Sequence, residues 1–493
     1  MSDPSFHPAI ESPLVIASNR GPVTLERDAA GLYEPQRGAG GLVTTLSGVF
    51  YRDEATWVSA ALTEADRNVP EDQAIDGAIG LKLRFVPLDP DVYDGYYNEI
   101  ANGVLWFTSH FLWDIARTPV FDASTEEAWS AYEKANRAFA EALDDAPPDA
   151  VFLIQDYHLA LVSRYLRDLR PHARIVHFWH IPHPGQTYVR LLPVPMREAL
   201  VSGMLAADVI GFQTRTWAEN FLLSARAVPG VKADLRRWRV SLDGHTTLVR
   251  AFPVSVSAEP LRTMAADPDV RAIRRDIEGS LGDQKLLLRV DRLEPSKNIL
   301  RGFRAYELFL RRHPEWQGKV RFLALLTPSR EELAAYREYG DECLAEAHRI
   351  NTELGREGWA PIVVRLQHDM PYAVAAYGHY DVLIVNPVFD GMNLVAMEGP
   401  LVNRSAGVLV LSRNAGAYGR LGRHALGVNP FDVRETADAI AQALEMGHDE
   451  RVRRARGLAR TVLAHTPATW LANQLELLDR SVDLRGAPEP DDD

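Results

Sequence analysis

Cysteine is nearly absent from this 493-residue chain. Cys343 stands alone, which excludes an internal disulfide, a multi-cysteine zinc site and a CxxC redox pair. It falls in a long helical pattern, where a small buried hydrophobe is the expected role. Long apolar runs are missing as well: stretches such as Leu286 to Val290 and Val382 to Val385 fall far below the roughly 18 residues of a membrane helix. HExxH, Walker A, EF-hand and GxSxG patterns do not occur, nor does a repeat of about 20–50 residues. Metal-dependent, ATPase and serine-hydrolase chemistry therefore have little support. Positive charge is in deficit, 54 Lys+Arg against 67 Asp+Glu for a net −13. That field repels nucleic acid and anionic membranes unless basic residues are gathered in one place. Met1 to Pro13 carries Asp3 and Glu11 and no Lys or Arg, unlike a secretory signal, so a cytoplasmic protein with no membrane or nucleic-acid partner is expected.

The composition, 46% hydrophobic and 25% charged, is that of a globular chain long enough for two to four domains at roughly 100–200 residues each. β-Branched runs recur at Leu14 to Ala17, Val151 to Ile154, Arg174 to Trp179, Val209 to Phe212, Lys285 to Val290, Val320 to Leu326, Val382 to Asn386 and Gly407 to Leu411. They read as buried parallel strands. Helical stretches lie between them. In Ser124 to Ala146, Trp129, Tyr132, Phe139 and Leu143 recur at helical spacing and Ser124 with Glu127 reads as a capping box. This alternation predicts an α/β fold with parallel sheets. The strand series breaks near Val256 to Pro260, after a hairpin-like stretch from Trp238 to Ser255, and resumes with a helix at Pro268 to Glu278. The expected organisation is an N-terminal Rossmann-like domain over 1–256 and a second over 257–466. A helix over 467–484 would pack back on the first domain, and 485–493 would be a disordered tail. Ligands of such sheets bind beyond the carboxyl ends of the strands, here in a cleft between the domains.

The richest segment is Asn386 to Pro400, NPVFDGMNLVAMEGP. A strand that turns through glycine into a helix presents unpaired N–H groups to an anion, so Met392, Asn393 and Leu394 suit a diphosphate. Asp390 sits in the loop, with Glu398 about two turns further along, an arrangement for two sets of sugar hydroxyls. In RVDRLEPSKN, Arg292 and Lys297 follow a strand end and suit a leaving diphosphate, because cations offset the charge released as a glycosyl bond breaks. In the first half, strands end in the polar groups Ser18 to Gly21, Gln155 to His158 and His180 to His183. The glycines of RGAGGL, Arg37 to Leu42, permit close approach of backbone to a ligand. Taken singly, each segment also has a plain structural reading: a helix cap, a surface ion pair, a strand-end histidine or, for Tyr97 and Trp106, core aromatics.

In order along the chain, SNR, GGL, YYN with LW, DYHL, HIP, VDR with a Lys five residues on, TPSR, DGMNLVA with Glu, GVLVLS and VNPFD resemble the trehalose-6-phosphate synthase family. The resemblance runs from Ser18 to Asp432. It implies the GT-B architecture of two facing Rossmann-like domains with an interdomain cleft, and a retaining glucosyl transfer from a nucleoside-diphosphate glucose (UDP or GDP) to glucose 6-phosphate. By position, Gly41, Arg292 and Lys297 would meet the donor diphosphate, as would the backbone of Gly391, Met392, Asn393, Leu394 and Val395. Glu398 would hold the ribose, with Asp390 and His180 against the donor glucose. Arg20, Tyr97, Trp106 and Arg330 would bind the acceptor phosphate, with Asp156 and His180 facing the reacting sugars. Asp156, His180, Arg292, Lys297 and Asp390 form the implied catalytic set.

The mechanism implied by the family passes the acceptor proton to a donor phosphate oxygen, with His180 not the general base, and uses neither metal nor cofactor. Its partners are these small molecules, with homo-oligomerisation left open. The chain departs from the common family pattern at Phe389, Met397, Asn298, His183 and Ala60. These changes bear on base preference and pocket shape, and keep in view two alternatives: a relative using glycerol 3-phosphate or a cyclitol phosphate as acceptor, and a silent sugar-phosphate sensor.

Overall fold

The computed structural model describes residues 12–27, 31, 33–37, 55–69 and 81–482. The chain divides into two compact units, Met1–Val254 with Pro467–Asp493, and Ser255–Thr466. The predicted tail lies outside the described residues.

The strands of the first unit are β1 (Leu14–Ala17), β2 (Val23–Arg27), β3 (Tyr33–Arg37), β4 (Ala55–Ala60), β5 (Leu81–Val86), β6 (Val151–Gln155), β7 (Arg174–Trp179), β8 (Val209–Phe212), β9 (Lys232–Asp234), β10 (Arg239–Leu242) and β11 (His245–Ala251). Nine of these form one sheet in the order β5-β4-β1-β6-β7-β8-β11-β10-β9, and β2 pairs with β3 as a separate hairpin. The sheet is parallel from β5 to β11, while β10 runs antiparallel to both β11 and β9. The hairpin-like stretch expected from Trp238 to Ser255 supplies this antiparallel edge, where the turn at Asp243 and Gly244 is too short for a crossover and returns the chain beside itself. β1, β6 and β8 are buried at every position, as strands covered on both faces must be. Gly211 in β8 is required by packing, since a Cβ there would lie 2.4 Å from the Phe178 ring.

The helix after β5 starts one cap earlier than the sequence suggests. It spans Ala123–Asp144, and Asp122, not Ser124, is the N-cap, reciprocated by Thr125. An Asp carboxylate beside the helix N-terminus gains from the dipole as well as from the hydrogen bonds. Tyr132, Phe139 and Leu143 are buried as the spacing predicts. Before this helix, Asp94–Leu105 forms a π-helix, in which the Trp106 N–H reaches the Ala101 carbonyl five residues back. The helix Pro467–Val482 belongs to the first unit although it follows the second in sequence. Its Trp470 donates from Nε1 to the Phe252 carbonyl at 3.0 Å and packs edge-on against Phe178, while Asp479 pairs with Arg174.

The second unit holds β12 (Lys285–Arg292), β13 (Val320–Thr327), β14 (Ile362–Leu366), β15 (Val382–Val385), β16 (Val408–Ser412) and β17 (Leu426–Val428). They form a wholly parallel sheet ordered β14-β13-β12-β15-β16-β17. The order reverses beside β12 and β15, where the two halves of a Rossmann-like sheet diverge and open a crevice beyond the strand ends. Core side chains from Leu287, Phe303, Phe322, Ile384 and Val410 meet beneath it, with the free thiol of Cys343 among them. Burial pushes that thiol up to about 12, the inert role expected of it.

Candidate active site

In the first unit the sites predicted at the ends of β1, β6 and β7 converge. Asp156, the residue after β6, has φ of 74°, a conformation costly for a residue with a Cβ. It is held there from several sides. Its N–H donates to the Phe178 carbonyl at 2.6 Å, and its Oδ1 accepts from the His180 N–H at 3.1 Å. The turn that follows is clamped by the long helix: Tyr132 Oη donates to the Tyr157 carbonyl at 2.5 Å, and Asn136 bonds the His158 carbonyl and the Leu161 N–H. Such over-determined strain points to a carboxylate whose position matters.

His180 has both ring nitrogens engaged. Nε2 lies 2.9 Å from Gln155 Oε1, and Nδ1 lies 3.2 Å from Gln213 Nε2. Gln213 Oε1 accepts the Val254 N–H at 2.9 Å, which turns its amide NH2 toward His180. Nδ1 therefore accepts, and Nε2 carries the proton. Burial, and secondarily His177, push the imidazole down to about 3, so His180 is neutral at physiological pH.

Arg20 is exposed, with a guanidinium nitrogen 3.3 Å from Tyr97 Oη. Tyr97 comes from the π-helix and stacks between Tyr93 at 5.2 Å and His158 at 5.6 Å. An inserted π turn shifts side chains by one position relative to an α-helix and is frequent at functional sites. Trp106 is buried, stacked on His110 at 3.9 Å. Gly41 lies outside the described residues.

In the second unit Lys297 Nζ is 2.6 Å from Asp390 Oδ2, the two side chains being only 11% and 12% exposed. Asn393 Nδ2 shares that same oxygen at 3.1 Å. Glu294, fully buried between the two predicted cations, accepts from Arg292 at 3.2 Å and from Ser296 Oγ at 2.9 Å, and lies 3.9 Å from Lys297. Burial works against the charge on Lys297, yet Asp390 and Glu294 outweigh it and raise its pKa above the ordinary value. Behind them Arg289 is fully buried, bonded to Asn386 and 3.5 Å from Asp291. Burial lifts Asp291 to about 6 against the opposing pull of Arg289 and Lys297.

Asn298, where the family pattern has glycine, adopts φ of 60°. Asparagine is among the few side chains that tolerate this left-handed conformation. Its Nδ2 bridges the Asn386 and Pro430 carbonyls at 2.9 and 2.7 Å, tying the turn after β12 to the loop after β15. The helix entered by that loop is Val395–Val402, so Glu398 stands in its first turn rather than two turns along as the sequence suggests. Among the described residues, the backbone N–H groups of Met392, Asn393 and Leu394 meet no acceptor. Tyr377 Oη bonds Glu398 Oε2 at 3.2 Å, and burial raises this carboxyl to about 7. Arg330 is in the second unit as well, three residues beyond β13, with φ of 51° and a nitrogen 2.6 Å from Tyr336 Oη.

The sequence profile of glycosyltransferase family 20 matches residues 12–480. The chain belongs to glycosyltransferase family 20. It is 34% identical over 483 residues to the trehalose-6-phosphate synthase of Mycobacterium avium, covering 95% of this chain and 96% of that one. A bifunctional trehalose-6-phosphate synthase/phosphatase of Thermoproteus tenax is 33% identical over 470 residues, and this chain spans 62% of its length. Among solved structures, the UDP-forming α,α-trehalose-phosphate synthase of Burkholderia xenovorans in complex with glucose 6-phosphate superposes with a TM-score of 0.83 at 28% identity. It covers 95% of this chain and all of that one. The E. coli protein bound with UDP-2-fluoro glucose superposes equally well, covering 95% and 99%. The α/β fold with parallel sheets is thus the GT-B fold of these synthases, and the family expected from the motifs is the family found.

Four residues of the clusters escaped the sequence reading in their particular roles. Gln213 follows β8 as Gln155 ends β6, so a polar residue at a third strand end was the available signal. Asp291 and Glu294 sit inside a segment already singled out for its cations. Tyr377 lies in an apolar helix with no motif to mark it.

Proposed function

We propose that this family 20 enzyme transfers glucose, with retention, from UDP-glucose to glucose 6-phosphate, releasing UDP and trehalose 6-phosphate in the cytoplasm. The observation that carries this reading is the grouping of Arg292, Lys297 and Asp390 at the β12 and β15 ends, next to the unbonded N–H groups of Met392 to Leu394. Cations and helix-entry N–H groups suit a diphosphate that gains charge as the C1–O bond breaks. Asp390 suits the glucose hydroxyls, and Glu398, accepting as a carboxylate, the ribose. Gly391 and Val395 complete the backbone cradle, with Gly41 its counterpart in the first unit.

On the acceptor side Arg20, Tyr97, Trp106 and Arg330 supply the phosphate contacts, and Asp156 and His180 face the sugars. The neutral, doubly bonded imidazole of His180 supports the proton passing to a donor phosphate oxygen. Its accepting nitrogen is already used by Gln213. The reaction balances with no metal or cofactor: the acceptor O–H loses its proton to the departing diphosphate as the new C1–O bond forms.

The test is nucleoside diphosphate release with UDP-, GDP- and ADP-glucose against glucose 6-phosphate, with the product read by NMR. An α,α-1,1-linked disaccharide phosphate made from UDP-glucose is expected. Turnover of glycerol 3-phosphate or a cyclitol phosphate, with none of glucose 6-phosphate, would overturn the acceptor. Binding of both substrates without product would overturn the activity.

A further inference from the structure

His183, one of the positions where the chain departs from the family pattern, has no part in the site described above. It lies in the wall of a second pocket, wholly inside the first unit, bounded by the end of β7, the loop that follows it and the helices Val194–Met204 and Arg215–Ala225. The interior is largely apolar, with Trp179, Leu200, Met204 and Phe221 among the side chains that form it. Every residue lining it is buried except Arg197, which is half-buried and so marks the mouth. An apolar interior with a few placed polar groups is the make-up of a small-molecule site.

Two polar groups of the lining have capacity that the fold leaves unused. His183 Nδ1 lies 3.0 Å from the Pro184 carbonyl. A carbonyl only accepts, so Nδ1 carries the proton and Nε2 is left as an acceptor, to which nothing donates among the described residues. Burial pushes the imidazole down to about 4, against the pull of Pro184, so the ring is neutral and takes a donor rather than an anion. It is held in place: it packs edge-on against Trp179, Phe212 and Phe221 at 5.7, 5.7 and 5.4 Å, and Asn220 Nδ2 donates to the His183 carbonyl at 2.8 Å. Arg197 pairs with no carboxylate among the described residues, and its Nε is buried without a partner. A donor left in that state needs an explanation. A carboxylate answers the guanidinium. A hydroxyl answers Nε2, because an ammonium would carry a charge into an apolar interior at far greater cost. A flat ring between the two meets Trp179 and Phe221 as aromatic groups prefer to meet. We propose that this pocket binds a small phenolic carboxylate, with its carboxylate on Arg197 and its hydroxyl on His183 Nε2, and that its occupancy is felt at the acceptor half of the active site.

The second half of the proposal follows from packing, and rests on the acceptor reading of Trp106. Leu105 and Thr108, on either side of Trp106 in sequence, also line the pocket. Aromatic rings run from that residue to the pocket wall: Trp106 to Tyr157 at 6.0 Å, Tyr157 to Trp179 at 6.0 Å and Trp179 to His183 at 5.7 Å. All four residues are buried. Close-packed side chains transmit a displacement instead of absorbing it, so a ring seated against Trp179 presses through Tyr157 on Trp106.

The test uses the full chain and 4-hydroxybenzoate, with binding read by calorimetry and acceptor KM measured with and without it. Expected is saturable binding that persists at saturating glucose 6-phosphate and is roughly tenfold weaker in Arg197→Met and in His183→Phe, each of which removes one polar contact. Phenylalanine keeps the edge-on ring contacts, so a thermal melt close to that of the wild type is expected of His183→Phe. Benzoate and phenol, each lacking one polar group, should bind more weakly than 4-hydroxybenzoate. Acceptor KM should shift with 4-hydroxybenzoate in the wild type and hold in His183→Phe. No binding, complete displacement by glucose 6-phosphate, or wild-type affinity in either variant overturns the site. Benzoate binding as tightly as 4-hydroxybenzoate overturns the hydroxyl contact, and phenol doing so overturns the carboxylate on Arg197. Binding that needs both residues but leaves acceptor KM unmoved overturns the link to Trp106. Because binding is read directly, failure of the proposed glucosyl transfer leaves the first arm intact.

Discussion

Glu398→Gln probes the donor half of the site through its charge. The carboxyl is lifted from its ordinary 4.5 to about 7 by burial, only partly relieved by Tyr377. At about 1.4 kcal/mol per pKa unit, a lift of this size makes the ionised form cost roughly 3 kcal/mol of stability, less whatever water restores at its partly exposed edge. A raised carboxyl pKa contributes stability that is complete at low pH, is lost as pH climbs from the unfolded value through about 7, and is lost no further above that. Glutamine has no proton to lose. The variant should therefore melt above the wild type at pH 8, with the gap closing by about pH 5. Donor binding should respond oppositely. A carboxylate that accepts from both ribose hydroxyls is only about a tenth ionised one unit below its pKa and about nine-tenths ionised one unit above. Donor KM should thus fall several-fold from pH 6 to pH 8 in the wild type and stay flat in the variant. The assay is initial-rate kinetics at saturating acceptor, beside a thermal melt at each pH. A wild-type donor KM independent of pH, or a variant that keeps the dependence, would refute the assignment of Glu398 to the ribose. A variant less stable than wild type at pH 8 would refute the buried-charge argument.

Lys297→Met takes from the buried Asp390 carboxylate the cation 2.6 Å away, so a loss of about 3–5 kcal/mol is expected on denaturation. Adding Asp390→Asn should restore much of that stability and none of the activity, which a double-mutant cycle checks. Arg330→Ala should raise acceptor KM by roughly 10- to 100-fold, since a charged hydrogen bond is worth about 1.5–3 kcal/mol, while donor KM holds; equal effects on both would remove Arg330 from the acceptor phosphate. Asn298→Gly keeps the left-handed backbone but drops the bridge to Asn386 and Pro430, and should weaken donor binding more than it lowers the melting temperature. Asn298→Ala adds backbone strain of about 1 kcal/mol and should be the less stable of the two.

Strand after strand was readable because parallel strands buried on both faces are continuous apolar runs, as in Val209–Phe212 and Val382–Val385. Of the strands that were not anticipated, Leu81–Val86 and Ile362–Leu366 are edge strands with charged and half-exposed positions, so the apolar signal is diluted, whereas Ala55–Ala60 is buried inside the sheet but reads ATWVSA, with small and hydroxyl residues in place of an apolar run. The π-helix was illegible for a different reason. Its residues, DGYYNEIANGVL, carry no periodicity that separates a five-residue hydrogen bond from a four-residue one. At the site, motifs located the loops and fixed which residues ride on them. They could not give the state of those residues. The tautomer of His180 depends on Gln213, 33 positions away, and its neutrality, like the raised carboxyl of Glu398, on burial that only the folded chain supplies. Burial of Glu294 turned a residue passed over between two cations into the group that holds both.

The first unit is assembled from two separated stretches of chain, with the whole second unit threaded between them. During synthesis, the strands carrying Asp156 and His180 emerge early, yet the helix Pro467–Val482 that seats Trp470 beside Phe178 and His180 emerges only after nearly three hundred further residues. A nascent or nicked chain can thus hold every motif of the family and still lack the wall behind its histidine. The order of translation itself delays the first unit's completion until the second has been made.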